Sequence, residues 1–405
     1  MKFMKNPFFF FKKRGEGADV PLNNRKRVTI VNKYGARHPS ATGYPIRKLA
    51  DYLFAEGIEV TVVSIHVDYN GKMPADEDIL PYRTIELKGL YKGRNNLIRL
   101  AVNLIDGCRL MLRSMFLLRH DLKIVMTDPS LLNAWAVLLR PFYRSRLVFW
   151  TMDLYPEAFV SAGLVSKDNW GYRLLFTFVY SRVPDFLIAL GEQQYRYLCK
   201  QYRCDFIPHI ILPCGVYENE PSVVPSWRID NEDKIIFCYA GNMGEAHNAA
   251  FLLELIDRLE PEKHIMLLRL YGCKARSILD RVRNYPVVRI LDYLPQDEVQ
   301  YVDVNVASLL SAWSHICVPS KVVSAICAGT PVLYNAHQES DGACMFPDAV
   351  WLVSDRENTS VVVTQFLDQI SPETINMKKE MARKYARELV GMEKQSLLRF
   401  LDVLK

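Results

Sequence analysis

The sequence predicts an α/β chain of two doubly wound, Rossmann-like domains facing each other across a cleft, and three observations carry the prediction. Short β-branched apolar runs alternate with helical segments from Arg27 onward, the pattern of parallel sheets with crossover helices. The alternation stops between His209 and Lys234, where Pro213, Gly215, Pro221 and Pro225 punctuate a polar stretch, and it resumes at Lys234. The 405 residues exceed one ordinary domain, since domains cluster around roughly 100 to 200 residues.

The elements follow in order. Arg27 to Asn32 (RVTIVN) reads as a strand, followed by a loop with Gly35, Pro39 and Gly43. Tyr44 to Glu56 places Ile46, Leu49, Ala50 and Leu53 at helical spacing, stops at Gly57, and gives way to the strand Val60-Thr61-Val62-Val63, completing a βαβ unit. Lys123 to Thr127, Arg146 to Trp150 and Asp185 to Ala189 are further short strands. Beyond the linker come Lys234 to Ala240, Ile265 to Tyr271, Val287 to Leu291, Val304 to Leu309 and Thr330 to Tyr334, with helical sequence at the end. The expected division is a basic aromatic leader (1–26), a first domain (27–212), a second domain (213–385) and a C-terminal helical segment (386–405) packing back on the first domain. No repeat period of solenoid length is present.

Composition narrows the class. At 50% hydrophobic and 24% charged residues the chain is globular, which excludes a mostly disordered one. The nine cysteines include no Cys-x-x-Cys pair, so neither a disulfide framework nor a cysteine zinc site is suggested, and a reducing cytoplasm is the expected compartment. The net charge of +6 decides nothing alone. The leader carries Phe8 to Phe11 between basic residues, too short for a secretion signal's apolar core of roughly 7 to 15 residues. No apolar run approaches the roughly 18 residues a spanning helix needs.

Two segments have the character of an anion site. The strand ending at Ala240 runs into Gly241-Asn242-Met243-Gly244-Glu245-Ala246-His247-Asn248, and a helix follows from Ala249. Glycines at such a turn let the backbone approach a phosphate, and the next helix start offers unpaired N–H groups. A tight turn that binds nothing is the alternative. In Val318-Pro319-Ser320-Lys321, which opens a short helix closed by Gly329, proline suits a first turn, serine suits a cap, and the lysine is placed beside the helix start. A solvated lysine is the alternative there.

The pairing of "YAGNMGEAHN" with "CVPSKVVSAICAGTPVL" resembles the second domain of family 4 glycosyltransferases, a retaining group with the GT-B fold, and most of all bacterial members that build cell-surface polysaccharides. "VTIVNKYGARHPSATGYP", "TMDLYPEAF", "LPCGVY" and "ILDYLPQDEV" add to the resemblance, which runs from about Arg27 to the C-terminus. It implies that Gly241, Asn242 and Gly244 lie under the diphosphate of a nucleotide-sugar donor, with a UDP sugar as the expected form. Ser320 and Lys321 would face the phosphates from the other helix, Gly43 would belong to an acceptor-side loop, and Asp153 would reach the reacting carbon or the acceptor hydroxyl. An N-cap is the alternative for Asp153. Glu157 is a fallback carboxylate, with an exposed helix position as its alternative. One departure stands out: where many members carry a Glu-x7-Glu pair, this chain has Ile316 and Ser324, of which only Ser324 could hydrogen-bond a ribose.

The implied reaction develops negative charge on a leaving diphosphate, which preorganised N–H groups and a cation would stabilise, with retention of configuration. No metal and no cofactor is required; Asp76-Glu77-Asp78 reads as solvated charge. From Leu90 to Lys123 the chain mixes Lys92, Arg94, Arg99, Arg109, Arg113 and Arg119 with aliphatic residues, a basic amphipathic pattern that suits an anionic membrane surface or the packed outer helix of a domain. With the leader it predicts peripheral attachment to the inner face of the cell membrane and a lipid-linked saccharide acceptor. Nucleic acid is not an expected partner, because the basic residues accompany aliphatic faces and not aromatic stacking platforms. A nucleotide-sugar epimerase on the same fold and a non-catalytic partner of an active transferase are the competing readings. The first strand lacks the Gly-x-Gly-x-x-Gly of a dehydrogenase.

Overall fold

The computed structural model describes residues 26–404 except 39, 41, 67–78, 91–95 and 118–119, and of residues 96, 97 and 99 the backbone alone. The leader and Asp76-Glu77-Asp78 lie outside the described residues, as do Lys92, Arg94 and Arg119.

The first half contains β1 (Arg27–Val31), α1 (Gly43–Ala55), β2 (Glu59–His66), β3 (Arg83–Lys88), α2 (Asn96–Met115), β4 (Leu122–Val125), α3 (Leu132–Leu139), β5 (Arg146–Trp150), α4 (Glu157–Ser161), α5 (Trp170–Val179), β6 (Phe186–Ala189), α6 (Glu192–Tyr202) and β7 (His209–Ile211). The second half contains α7 (Ser226–Ile229), β8 (Ile235–Asn242), α8 (Ala249–Arg258), β9 (His264–Tyr271), α9 (Ala275–Val282), β10 (Val288–Ile290), β11 (Val304–Ser308), α10 (Ser320–Cys327), β12 (Val332–Asn335), α11 (Asp341–Met345), β13 (Val350–Val353), α12 (Thr359–Gln369) and α13 (Pro372–Leu404). The strands form two parallel sheets, ordered β3-β2-β1-β4-β5-β6-β7 and β10-β9-β8-β11-β12-β13. In each, the strand order reverses beside the first strand, between β1 and β4 and between β8 and β11. A crevice opens there at the carboxyl ends of the strands.

Burial explains which strands the sequence announces. β4 and β6 are buried along their whole length and read as continuous apolar runs. The edge strand β3 is largely exposed, carries Arg83, Glu86 and Lys88, and offers only Ile85 and Leu87 as an apolar signal. β13 (VWLV), at the edge of the other sheet, is apolar throughout but only four residues long, and the sequence reading passed it over. The segment expected as one basic amphipathic helix from Leu90 to Lys123 is corrected: the helix ends at Met115, and Lys123 is buried on β4 with its Nζ donating to the Ser114 carbonyl (2.9 Å).

α1 turns Ile46, Leu49 and Leu53 inward, where they join Leu397, Phe400, Leu401 and Leu404 of α13 in one apolar cluster of the first half. The Phe400 ring lies 5.6 Å from that of Phe186 on β6, and Ser396 Oγ donates to the Ile211 carbonyl (2.8 Å). Burying a phenylalanine this way stabilises by about 2 to 3 kcal/mol, so α13 fastens the last turns of the chain to the first sheet. A second cluster draws from both halves, joining Val31, Leu154 and Tyr195 to Leu309, Trp313 and Val322.

Candidate donor and acceptor site in the interdomain cleft

On the second sheet the site is built from the end of β8 and the start of α10. Gly241 and Asn242, expected in a loop, are the last residues of β8; Asn242 pairs with Tyr271 on β9. Gly241 has φ +131°, and a Cβ there would meet Lys321 Cε at 2.7 Å, so both its conformation and the close approach of the lysine stem require glycine. Lys321 was expected beside the N–H groups of its own helix. It instead reaches across to β8, because an ammonium is repelled by the positive end of a helix and attracted by strand-end carbonyls. Its Nζ donates to the Asn242 carbonyl (2.6 Å) and the Tyr239 hydroxyl (3.3 Å) and lies 3.0 Å from His247 Nε2. His247 Nδ1 is 2.6 Å from the Ser308 carbonyl, which can only accept, so Nδ1 carries the hydrogen and Nε2 accepts from Lys321. Burial lowers Lys321 to about 7 and His247 to about 3, the latter also through the Lys321 charge.

Ser320 is the first residue of α10 and not its cap; Pro319 holds that position, with no side-chain cap bond. Ser324 Oγ donates to the Ser320 carbonyl (2.8 Å), which leaves its lone pairs for a ligand. Gly244 lies against the Asn242 side-chain amide.

On the first sheet, the loops after β1, β4 and β5 bring Lys33, Asp128 and Asp153 together. Asp153 makes no hydrogen bond among the described residues, and α4 starts after Pro156, so Asp153 is not an N-cap. Crowding by the cleft walls, and then the neighbouring Asp128 carboxylate, push Asp153 up to about 7. Its own surface is exposed. Solvent therefore reaches the carboxylate. Asp128 is raised by burial and held down by the Lys33 charge.

One curated protein is similar to the chain in sequence, and solved structures share its fold. The chain is 24% identical to the probable glycosyltransferase WbjE of Pseudomonas aeruginosa over 333 residues, spanning 76% of this chain and 80% of the relative. Sucrose-phosphate synthase of Thermosynechococcus elongatus superposes with TM-score 0.69 at 15% identity, over 94% of this chain and 100% of that one. WaaG, a glycosyltransferase involved in lipopolysaccharide biosynthesis, does so with TM-score 0.64 at 15% identity, over 92% and 98%. The fold is GT-B. No protein-family model matches the chain.

The GT-B cleft also shows what replaces the absent acid pair. Ile316 is buried, and its carbonyl accepts the Leu154 amide (2.9 Å), the residue after Asp153. The position is a structural tie between the two halves. Glu157, a fallback carboxylate by sequence with an exposed helix position as its alternative, is buried, which rules out that alternative, and takes hydrogen bonds from the Tyr180 hydroxyl and from the Tyr197 hydroxyl (3.2 Å). Gly43, expected in a loop, is the buried first residue of α1; a Cβ there would meet the His38 carbonyl oxygen at 2.0 Å.

Asp128, His247 and Asp341 escaped the sequence reading. Asp341 accepts the backbone N–H groups of Gln193 (2.8 Å) and Gln194 (3.0 Å), so a residue of the second half caps a helix of the first. His247 was visible inside the glycine segment but carried no signal of its Lys321 partner. Among the described residues no cluster of three metal-ligating side chains occurs, and no helix is long and apolar enough to cross a membrane.

Proposed function

We propose that this chain is a retaining glycosyltransferase that moves a hexosyl group from a UDP-linked or similar nucleotide-diphosphate sugar to a lipid-linked saccharide in cell-surface polysaccharide synthesis. The observation that carries the reading is Lys321. A half-buried ammonium gathered onto the carboxyl end of β8, with a glycine strand end beneath it, is poised opposite a carboxylate raised in pKa on the other wall. A diphosphate entering at β8 would exchange the Asn242 carbonyl for its own oxygens on Nζ, and a charge-assisted bond of that kind is worth about 1.5 to 3 kcal/mol. As the anomeric bond breaks, the electron pair goes to the diphosphate, where Lys321 and the α10 amides stabilise it. Asp153, elevated toward neutrality, suits the acceptor hydroxyl, whose proton must leave as the new bond forms.

A neighbour in fold supports the donor class: a solved trehalose-6-phosphate structure from E. coli, at TM-score 0.64 and 12% identity, is bound with UDP-2-fluoro glucose. The leader and α2 supply the peripheral contact with an anionic membrane; α2 leaves Ile105 and Leu112 exposed, and Phe116 just after it is exposed as well. The buried Ile316, in place of an acid, favours a second reading as a non-catalytic partner of an active transferase. Calorimetric titration with a panel of nucleotide sugars, followed by product analysis with polyprenyl-linked saccharides, tests both. Donor binding with turnover supports the transferase, binding without turnover the partner, and no binding by any nucleotide sugar overturns the two together.

A further inference from the structure

Three helices of the first half lie side by side on one face of its sheet, α3 packing against α2 on one side and α5 on the other. Their inner surfaces give Leu110, Met111, Leu132, Ala136 and Val137 to the core. A surface helix ordinarily turns polar side chains outward. Here α5 instead exposes Trp170 (79%) and Leu174 (64%), and the turn after α3 exposes Phe142 (72%).

The charges around these residues are mostly positive, with Asp168, exposed beside Lys167, the acid among them. Lys167, Arg173, Arg144 and Arg182 are exposed, and none is paired with a carboxylate among the described residues. Of the acids nearby, Asp185 is occupied by Arg140 (3.1 Å) and by the Leu147 amide. Tryptophan and leucine between unpaired cations match a bilayer interface, where the indole sits at the headgroups and the cations meet lipid phosphates. A protein partner of matching acidity would also answer the charge. The combination of exposed large apolar side chains with exposed lysine and arginine favours the bilayer.

We propose that the outer face of α5 with the turn after α3 is a membrane-docking surface for anionic lipid, separate from the leader and α2. Its place in the chain gives it a use. α5 lies in the same β5-to-β6 crossover as Asp153, and Ser161 at the end of α4 donates to the Ala312 carbonyl (2.6 Å) on the opposite cleft wall. Docking there sets the cleft rim at the lipid surface and presents a membrane-bound acceptor to Asp153. The inference rests on the proposal that the acceptor is lipid-linked.

The test is sedimentation of the full-length protein with vesicles of phosphatidylglycerol and phosphatidylethanolamine, against phosphatidylcholine alone. The parent should bind the anionic vesicles and release with salt, since screening shortens the reach of surface charge. Trp170→Ser with Leu174→Gln, and separately Lys167→Glu with Arg173→Glu, should each weaken binding by roughly tenfold or more with unchanged circular dichroism. A third arm deletes residues 1–14. Parent-like binding by both α5 variants overturns this proposal while leaving the leader and α2 reading in place. A parent that ignores anionic vesicles overturns the membrane reading altogether, and nucleotide-sugar binding is measured independently of either result. A parent dimer that the α5 variants dissolve, with vesicle binding intact, would make the face a self-interface and overturn the proposal.

Discussion

Lys321 Nζ stands 3.0 Å from His247 Nε2, and His247 is locked as the acceptor because its other nitrogen faces the Ser308 carbonyl at 2.6 Å. The histidine thus holds a lysine in place without competing for its proton. Lys321→Ala is expected to lower donor affinity by about 1.5 to 3 kcal/mol and turnover with it. Calorimetry beside initial rates checks this; parent-like affinity would mean that the donor binds elsewhere.

The same pair sets a pH dependence. Burial lowers Lys321 to about 7, so the free amine dominates above that pH, while His247 stays neutral down to about 3. A diphosphate favours the ammonium. Donor binding should therefore take up a proton and weaken as pH rises from 7 toward 9. Calorimetry in buffers of different ionisation heat reads the uptake directly, and Lys321→Arg, charged throughout, should abolish it.

Asp153→Asn should bind donor like the parent and lose turnover by on the order of a hundredfold or more. Because the Asp128 carboxylate adds to the upward shift of Asp153, Asp128→Asn removes a like charge and should move the acid limb of the rate profile to lower pH. An unmoved limb would separate Asp128 from the reacting centre.

Gly191 marks the tie between the halves: a Cβ there would meet Asp341 Oδ1 at 2.1 Å. Gly191→Ala is expected to destabilise by about 1 to 3 kcal/mol through overpacking. Asp341→Ala should cost about 1 kcal/mol through the lost cap. Thermal unfolding with and without donor gives both values, and no change in either would show that the tie is not formed in solution.

Transfer should proceed in chelator, since Lys321 and the α10 amides supply the positive charge at the diphosphate. Activity lost to chelator and restored by magnesium or manganese would refute that.

What the sequence by itself determined is whatever depends on neighbours in the chain. The apolar runs at β1, β4, β5, β6 and β8, the helical spacing of α1, and the glycine and Pro-Ser-Lys segments follow from local periodicity and turn chemistry, and they carry the two-sheet fold. Tertiary structure alone decided which side chains meet. The edge strand β3 showed only a short alternation at Ile85 and Leu87 because solvent, and not the core, takes one of its sides. Lys321 left its own helix start for β8 because strand-end carbonyls and His247, 74 residues earlier, attract an ammonium that the helix dipole repels. Asp128 and Asp341 gained their roles across loops and domains, through electrostatic fields and hydrogen bonds that depend on distance in space and leave no trace in residue spacing.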